Sequence, residues 1–376
     1  MLNGFPNRFR RIGIGVLIVT SLGASLKSQT SENFHKISET EVSLSGYAEV
    51  YYAYDFNEPV TGQKPAFLYN HTNHHSPAFN LMFLKTSLVN REWRASGAIM
   101  GGTYSIYNLS HEPGILRHVM EANVGIRLAR SHNVWLDAGI FPSHIGFESA
   151  VGDDCWTLTR SIVAENSPYY EAGIRLNSLF WHEKLSLSVL ALTGWQRVLP
   201  VAANNFPSGG WQLNYKPDVY WQFNYSGFAG NIHTKEDRQF RFYHNVYMVY
   251  EKGKFGLTAG LDIGHQKNRD ISRHIINSGS WYTPVIIARL KATNKLLFAL
   301  RAEYFNDTNA FITESFSSRG LNVIGLSYNA DIVFNTFIKL RLEWRTFRSN
   351  TSDFKYRQKP SSSNSFFTTS LIVNFD

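Results

Sequence analysis

Between positions 332 and 345 the chain alternates with a period of two. Ile332, Phe334, Thr336, Ile338, Leu340, Leu342 and Trp344 fall on one side, and Val333, Asn335, Phe337, Lys339, Arg341, Glu343 and Arg345 on the other. An extended strand sends successive side chains to opposite faces. The stretch therefore predicts one strand, apolar on one face and carrying four charges at consecutive alternate positions on the other. Soluble sandwich strands usually stop short of this length. A strand with a lipid-compatible face and a charged face fits the wall of a transmembrane barrel.

The same period recurs along the chain. Strands are predicted over 42–56, 81–90, 93–104, 122–129, 134–141, 171–177, 185–193, 219–226, 240–250, 257–263, 281–290, 296–305, 321–328, 332–348 and 366–375. In the first, Val42, Leu44, Ala48, Val50, Tyr52, Tyr54 and Phe56 oppose Ser43, Ser45, Tyr47, Glu49, Tyr51 and Asp55. Short polar turns at 91–92, 130–133, 251–254, 291–294 and 329–331 join hairpin partners. Longer segments, 57–78, 105–119, 195–218, 265–280 and 306–320, separate the hairpins. Short turns on one rim and long loops on the other is the asymmetry of outer-membrane barrels. Allowing for boundary error, the expectation is one all-β domain over 41–376, a transmembrane antiparallel up-and-down β-barrel of about 16 strands within a range of about 14–18. A secreted soluble sandwich is the competing architecture. Strand length, the charged second face and aromatic strand ends count against it.

The first 28 residues read as a cleaved signal peptide. Arg8, Arg10 and Arg11 precede an apolar run over 12–26, and Gly23, Ala24, Ser25 and Ser28 supply small residues for a cut between 24 and 28. A short polar segment follows over 29–40. An uncleaved anchor is the alternative, but the run is shorter than the roughly 20 residues a spanning helix needs. No other run is apolar enough to span as a helix, so an exported chain that enters a membrane must close as a barrel. Removing residues 1–28 takes away four basic residues and no acid, lowering the formal charge from +8 to +4. With no basic run beyond pairs, nucleic acid is excluded as a partner. The single cysteine, Cys155, excludes an intramolecular disulfide and a multi-cysteine metal site. The 19 Tyr and 9 Trp suit the two membrane–water boundaries, where amphipathic rings collect. At the C-terminus Phe367, Leu371, Val373 and Phe375 share a face. A terminal aromatic is the signal read by barrel-assembly machinery, and Asp376 after Phe375 departs from its strict form.

Several runs carry a family resemblance. They are Gly-Tyr-Ala-Glu-Val-Tyr-Tyr over 46–52, Trp-Leu-Asp-Ala-Gly-Ile-Phe-Pro-Ser-His-Ile-Gly-Phe-Glu-Ser over 135–149, Asn-Ser-Pro-Tyr-Tyr-Glu-Ala-Gly over 166–173 and Thr-Gly-Trp-Gln over 193–196. The chain resembles the β-barrel porin-2, or OmpL-like, family of Gram-negative outer membranes from about residue 41 to the C-terminus, most specifically over 120–200. The resemblance implies an outer-membrane porin-like channel and brings no catalytic site with it.

The residues placed to line a pore are the charges on polar faces: Glu49, Arg127, Asp137, Glu171, Arg175, Arg301, Glu303, Lys339, Arg341, Glu343 and Arg345. Rings of charge in a narrow lumen select ions, and the slight basic excess points to a mild anion preference. Cross-strand pairing that merely holds the wall together is the blander account of the same residues. Glu148, Asp153, Asp154 and Arg160 cluster in an irregular stretch, 147–160, that reads equally as a constriction folded into the lumen or as a plain outer loop. His71, His74 and His75 read as a solvated loop rather than a metal site, and Cys155 as a buried small residue or an inert loop thiol rather than a nucleophile. No cofactor is expected. Ser143–His144 and Ser110–His111 raise a hydrolase alternative, but no nucleophile elbow accompanies them, and neighbours on an extended strand point apart. A receptor or adhesin acting through the long loops is the other alternative. The expected partners are outer-membrane lipid, small hydrophilic solutes and the assembly machinery, with self-association left open.

Overall fold

The computed structural model describes residues 40–375 apart from 132, 202–206, 235–236, 271–274 and 314–319. The expected signal peptide, the polar segment up to residue 39 and Asp376 lie outside the described residues. The first half of the wall is formed by β1 (Glu41–Asp55), β2 (Ala78–Val89), β3 (Trp93–Gly101), β4 (Val119–Ala129), β5 (Val134–Pro142), β6 (Tyr170–Phe180), β7 (Leu185–Leu192) and β8 (Ser208–Tyr215). The second half comprises β9 (Trp221–Asn231), β10 (Asp237–Lys252), β11 (Phe255–Asp270), β12 (Ile275–Lys291), β13 (Leu296–Asp307), β14 (Leu321–Val333), β15 (Ile338–Ser349) and β18 (Ser363–Phe375). A small hairpin, β16 (Phe354–Tyr356) with β17 (Lys359–Ser361), stands between the last two. Among the described residues, sixteen strands close into one antiparallel barrel. The seam pairs β1 with β18, Gly46 opposite Phe375. A Cβ on Gly46 would sit 2.4 Å from the Phe375 ring, so only glycine lets that aromatic lie across the seam.

One rim carries the short turns 90–92, 130–133, 181–184, 216–220, 253–254, 292–295 and 334–337. The other carries the long connections, including 56–77, 102–118, 143–169, 193–207 and 350–362, with short helices α1 (Thr103–Asn108) and α2 (Ile162–Glu165) among them. The predicted asymmetry of the two rims is thus present.

The distribution of side chains is the reverse of a soluble protein's. The largest fully buried side chains include Arg160, Arg301, Arg341 and Arg345, while Ile99 and Val124 are 67% and 62% exposed. Fully buried arginines against exposed β-branched residues make no sense in water. They are what a wall with lipid outside and polar matter inside requires. Trp93, Trp181, Val219, Phe255, Phe334, Phe337 and Phe375 are exposed near the short-turn rim, where an interfacial girdle belongs. Among the described residues no helix is long and apolar enough to cross a membrane.

Five expectations need correction. The stretch 332–345 is not one strand: β14 ends at Val333 and β15 begins at Ile338. The turn is made by Asn335, whose Oδ1 accepts from the N–H groups of Phe337 (2.8 Å) and Ile338 (2.9 Å). Asn329 and Asp331, read as a turn, are buried wall residues of β14, and Asn329 donates to Asp331 at 2.8 Å. The segment 195–218 is not all loop, because β8 lies within it. Nor are 265–270 and 275–280 loop: β11 and β12 stay in register from His265↔Ser280 to Asp270↔Ile275. These strands run 16 and 17 residues, more than the ~9–11 that cross a bilayer, so their upper parts clear the apolar band. The predicted strand 93–104 also stops at Gly101, where the chain enters α1.

Candidate functional site

The connection from β5 to β6, residues 143–169, does not stay outside. It enters the barrel and crosses to the opposite wall, where three inward arginines hold it by backbone and hydroxyl oxygens. Arg301 donates to Thr157 Oγ1 (2.7 Å), Thr159 O (2.6 Å) and Thr159 Oγ1 (3.0 Å). Arg341 donates to Gly152 O (2.6 Å) and Cys155 O (2.9 Å). Arg345 donates to Arg160 O (2.8 Å). Wall carboxylates accept in return: Glu343 from Thr159 N (2.5 Å) and Glu303 from Ile162 N (2.6 Å). The same groups pair across strands, Arg301 with Glu343 at 2.9 Å, Arg345 with Glu303 at 2.6 Å and Arg341 with Asp331 at 2.8 Å. Cross-strand pairing and attachment of the inner segment are therefore done by one lattice.

The segment touches the remaining wall as well. Tyr47 Oη accepts from Gly152 N (3.1 Å), Asn245 Oδ1 accepts from Gly146 N (3.2 Å), and Lys339 pairs with Asp153. Trp156 lies against Gly256 of β11, where a Cβ would come within 2.6 Å of the indole, and under the Arg289 guanidinium at 4.3 Å. Within the segment, Arg160 donates to Ser149 O, Leu158 O and Ala150 O, and Glu148 accepts from Ser161 N at 3.0 Å. Burial pushes the Cys155 thiol up to about 11 and the Glu165 carboxyl up to about 7, against the opposing N–H donors of Tyr69 and Asn70. Burial also raises Asp154.

The 56–77 connection folds inward too. His71, expected in a solvated loop, is fully buried, its Nε2 3.0 Å from Glu49 Oε1. Its sequence neighbours hold no carboxylate, but the first strand brings one. Asn80 donates to the other oxygen of Glu49 at 3.0 Å. Burial holds the His71 imidazole below its ordinary pKa. His74 and His75 stay at the rim beside Asp55 and Tyr52. Among the described residues no three His, Cys, Asp or Glu side chains converge to hold a metal. Ser143 and His144 lie just past the end of β5 and both bind Glu171, each on its own oxygen: Ser143 Oγ donates to Oε1 (3.3 Å) and His144 Nδ1 lies 2.8 Å from Oε2. His144 Nε2 faces the Gly227 carbonyl at 2.9 Å, not Ser143.

Toward the short-turn rim the inner wall is open. Arg94 and Arg175 both bind Asp137, with side chains 31% and 27% exposed against 1% for the carboxylate. Lys85 and Glu121 repeat the arrangement, 29% against 6%. Arg289 and Lys291 share Glu251. Arg127 is half-buried beside Asn133 and Trp135. A cavity of about 460 Å³ lies between this wall and the inner segment, lined among others by Lys85, Glu121, Glu148, Asp154 and Tyr169.

A family model described as "Putative beta-barrel porin-2, OmpL-like" matches residues 41–375. The chain belongs to this family. No protein of curated function matches the sequence. Solved structures share the fold of this OmpL-like barrel: the outer membrane channel DcaP of Acinetobacter baumannii (TM-score 0.61, 11% identity, covering 90% of this chain and 98% of that one), an anion-selective porin from Comamonas acidovorans (0.58, 9%, 90% and 100%) and OmpF of Salmonella typhi (0.53, 10%, 90% and 98%). Within the OmpL-like barrel, Glu49, Asp137, Glu171, Arg301, Glu303, Arg341, Glu343 and Arg345 are buried, whereas Arg127, Arg175 and Lys339 are partly open. Sequence reasoning missed Lys85, Arg94, Glu121 and Arg289. Each is a charge at an inward alternation position, a signal legible once the strand's parity is fixed.

Proposed function

We propose that this OmpL-like barrel is an outer-membrane channel for passive diffusion of small hydrophilic solutes, mildly anion-preferring and without enzymatic activity. The observation that carries the reading is the order of charges on the open inner wall. In the Arg94/Arg175–Asp137 and Lys85–Glu121 groups the cation stands toward the lumen and the carboxylate lies behind it. In a confined low-dielectric passage the nearer charge dominates the field an ion meets. Two carboxylates, Asp137 and Glu251, serve four cations. The inner segment, with Glu148, Asp153, Asp154 and Arg160, acts as the constriction, and the passage runs through the adjoining cavity. The short-turn rim faces the periplasm, as in outer-membrane barrels generally, and Phe375 is the element offered to the assembly machinery.

A hydrolase reading finds no support at Ser143–His144. A nucleophile needs the base nitrogen directed at its hydroxyl, and here His144 Nε2 is held by a backbone carbonyl. The test is planar-bilayer recording of refolded protein in a KCl gradient with a sugar-size series. The expected reversal potential favours chloride, and a potassium preference would refute the anion assignment.

A further inference from the structure

One group on the open wall has the form of a ligand site rather than a diffuse field. Arg94 of β3, Gly125 of β4, Asp137 of β5 and Arg175 of β6 stand in one row across four strands, each opposite the next in register. Gly125 is the reason the row is continuous. A Cβ there would come within 2.2 Å of Asp137 Oδ1 and 3.0 Å of Arg94 Cγ, so its absence lets Arg94 cross over β4. Arg94 directs Nε and Nη2 at the two carboxylate oxygens, 2.6 Å each. Arg175 reaches Oδ2 from the other side with Nε (3.3 Å) and Nη2 (3.2 Å). The third guanidinium nitrogen of each is left for a ligand.

A third arginine completes the group. Arg127, two residues along β4 from Gly125, lies with Arg94 against the Trp135 ring, 4.9 and 4.4 Å from its centroid. Its Nη2 donates to Asn133 Oδ1 (2.6 Å), and its Nε is buried with no partner. Two guanidiniums thus converge on one carboxylate and a third shares the Trp135 ring with one of them, giving the group a net charge of two and an unmet donor. Guanidinium geometry matches oxyanions with paired oxygens better than it matches halides.

We propose that Arg94, Arg127 and Arg175 form a binding station for a doubly charged oxyanion, the phosphate group of a passing solute. Asp137 holds two of the three guanidiniums in place and sets the affinity low enough for release. The station rests on the anion-channel reading and sharpens it to a substrate class: conduction requires a site that is occupied and also left.

The experiment uses inorganic phosphate at about pH 8, where the dianion prevails. Phosphate added to the bathing KCl at constant ionic strength is expected to reduce the chloride current saturably. Arg94→Gln and Arg127→Gln should each weaken that block about tenfold. Asp137→Asn should strengthen it, a gain that a misfolded barrel cannot give. Arg130→Gln, which removes an equal charge from the exposed turn pair with Glu92, should leave it unchanged. Equal block in wild type and both arginine variants, or no block in a conducting wild type, overturns the station while leaving the channel standing. If the barrel conducts nothing, the channel reading fails instead, and calorimetric titration of the detergent-solubilised protein with phosphate decides the station: heat lost in Arg127→Gln supports it, and no heat in wild type refutes it.

Discussion

Arg301, Arg341 and Arg345 are buried, so their charges persist only because carboxylates and loop carbonyls surround them. Removing one partner of such a pair leaves a buried charge uncompensated, which costs about 3–5 kcal/mol. Glu343→Ala strands the Thr159 N–H and takes from Arg301 its nearest carboxylate, leaving Glu303 at 3.4 Å and Glu148 at 3.7 Å, and should lower the unfolding free energy in urea toward the lower end of that range. Adding Arg301→Met should recover much of the loss, since the undercompensated cation goes with it. Glu165 makes a separate prediction. Burial raises its carboxyl from 4.5 to about 7, so between these values the folded state holds a proton that the unfolded state has released. Stability from this group is then full below pH 4.5 and lost as pH rises to about 7. Relative to Glu165→Gln, the wild type should weaken progressively across that window and run parallel to the variant above it. Parallel profiles from pH 4 upward would rule the shift out.

The hairpin of β14 and β15 shows what was and was not legible in the sequence. Alternation placed both strands' faces correctly, because parity depends only on the pleat. It failed at the turn, because Phe334, Asn335, Thr336 and Phe337 happen to continue the period. The turn-rich residues Asn329 and Asp331 lie instead on the inner wall, where polar side chains face the inner segment. β8 was hidden for a related reason: Gly209, Gly210, Gln212 and Asn214 carry little of the usual strand preference. Pairing with β7 and β9 supplies what propensity lacks. The inner position of 143–169 was legible only as one of two readings, since the contacts that draw it in come from β13 to β15, far along the chain. The two asparagines separate these levels experimentally. Asn335→Ala removes two turn hydrogen bonds at the rim and should cost about 1 kcal/mol in urea unfolding, with conductance unchanged. Asn329→Ala removes the acceptor of the Leu158 N–H at 2.8 Å, and should raise protease sensitivity within 150–160 while the wall remains folded.

The wall and its contents are separable in their bonding. Every wall strand has a hydrogen-bonded neighbour on both sides, and the inner segment contributes none of those ladder bonds. It is attached by side chains, chiefly the arginines of β13 and β15. Deleting residues 150–156 removes the carbonyls of Gly152 and Cys155 from Arg341 and the carboxylate of Asp153 from Lys339. Arg341 keeps Asp331, so the wall retains its local pairing and the barrel should still fold, as heat-dependent gel mobility would report. The passage gains the vacated volume and two cations, Lys339 and Arg341, now facing it. Single-channel conductance should therefore rise, and the reversal potential in a KCl gradient should move further toward chloride. Both changes are required together: a rise without the shift would mean that ions pass elsewhere than along β15. An unchanged conductance in a folded barrel would show that the inner segment does not constrict the path.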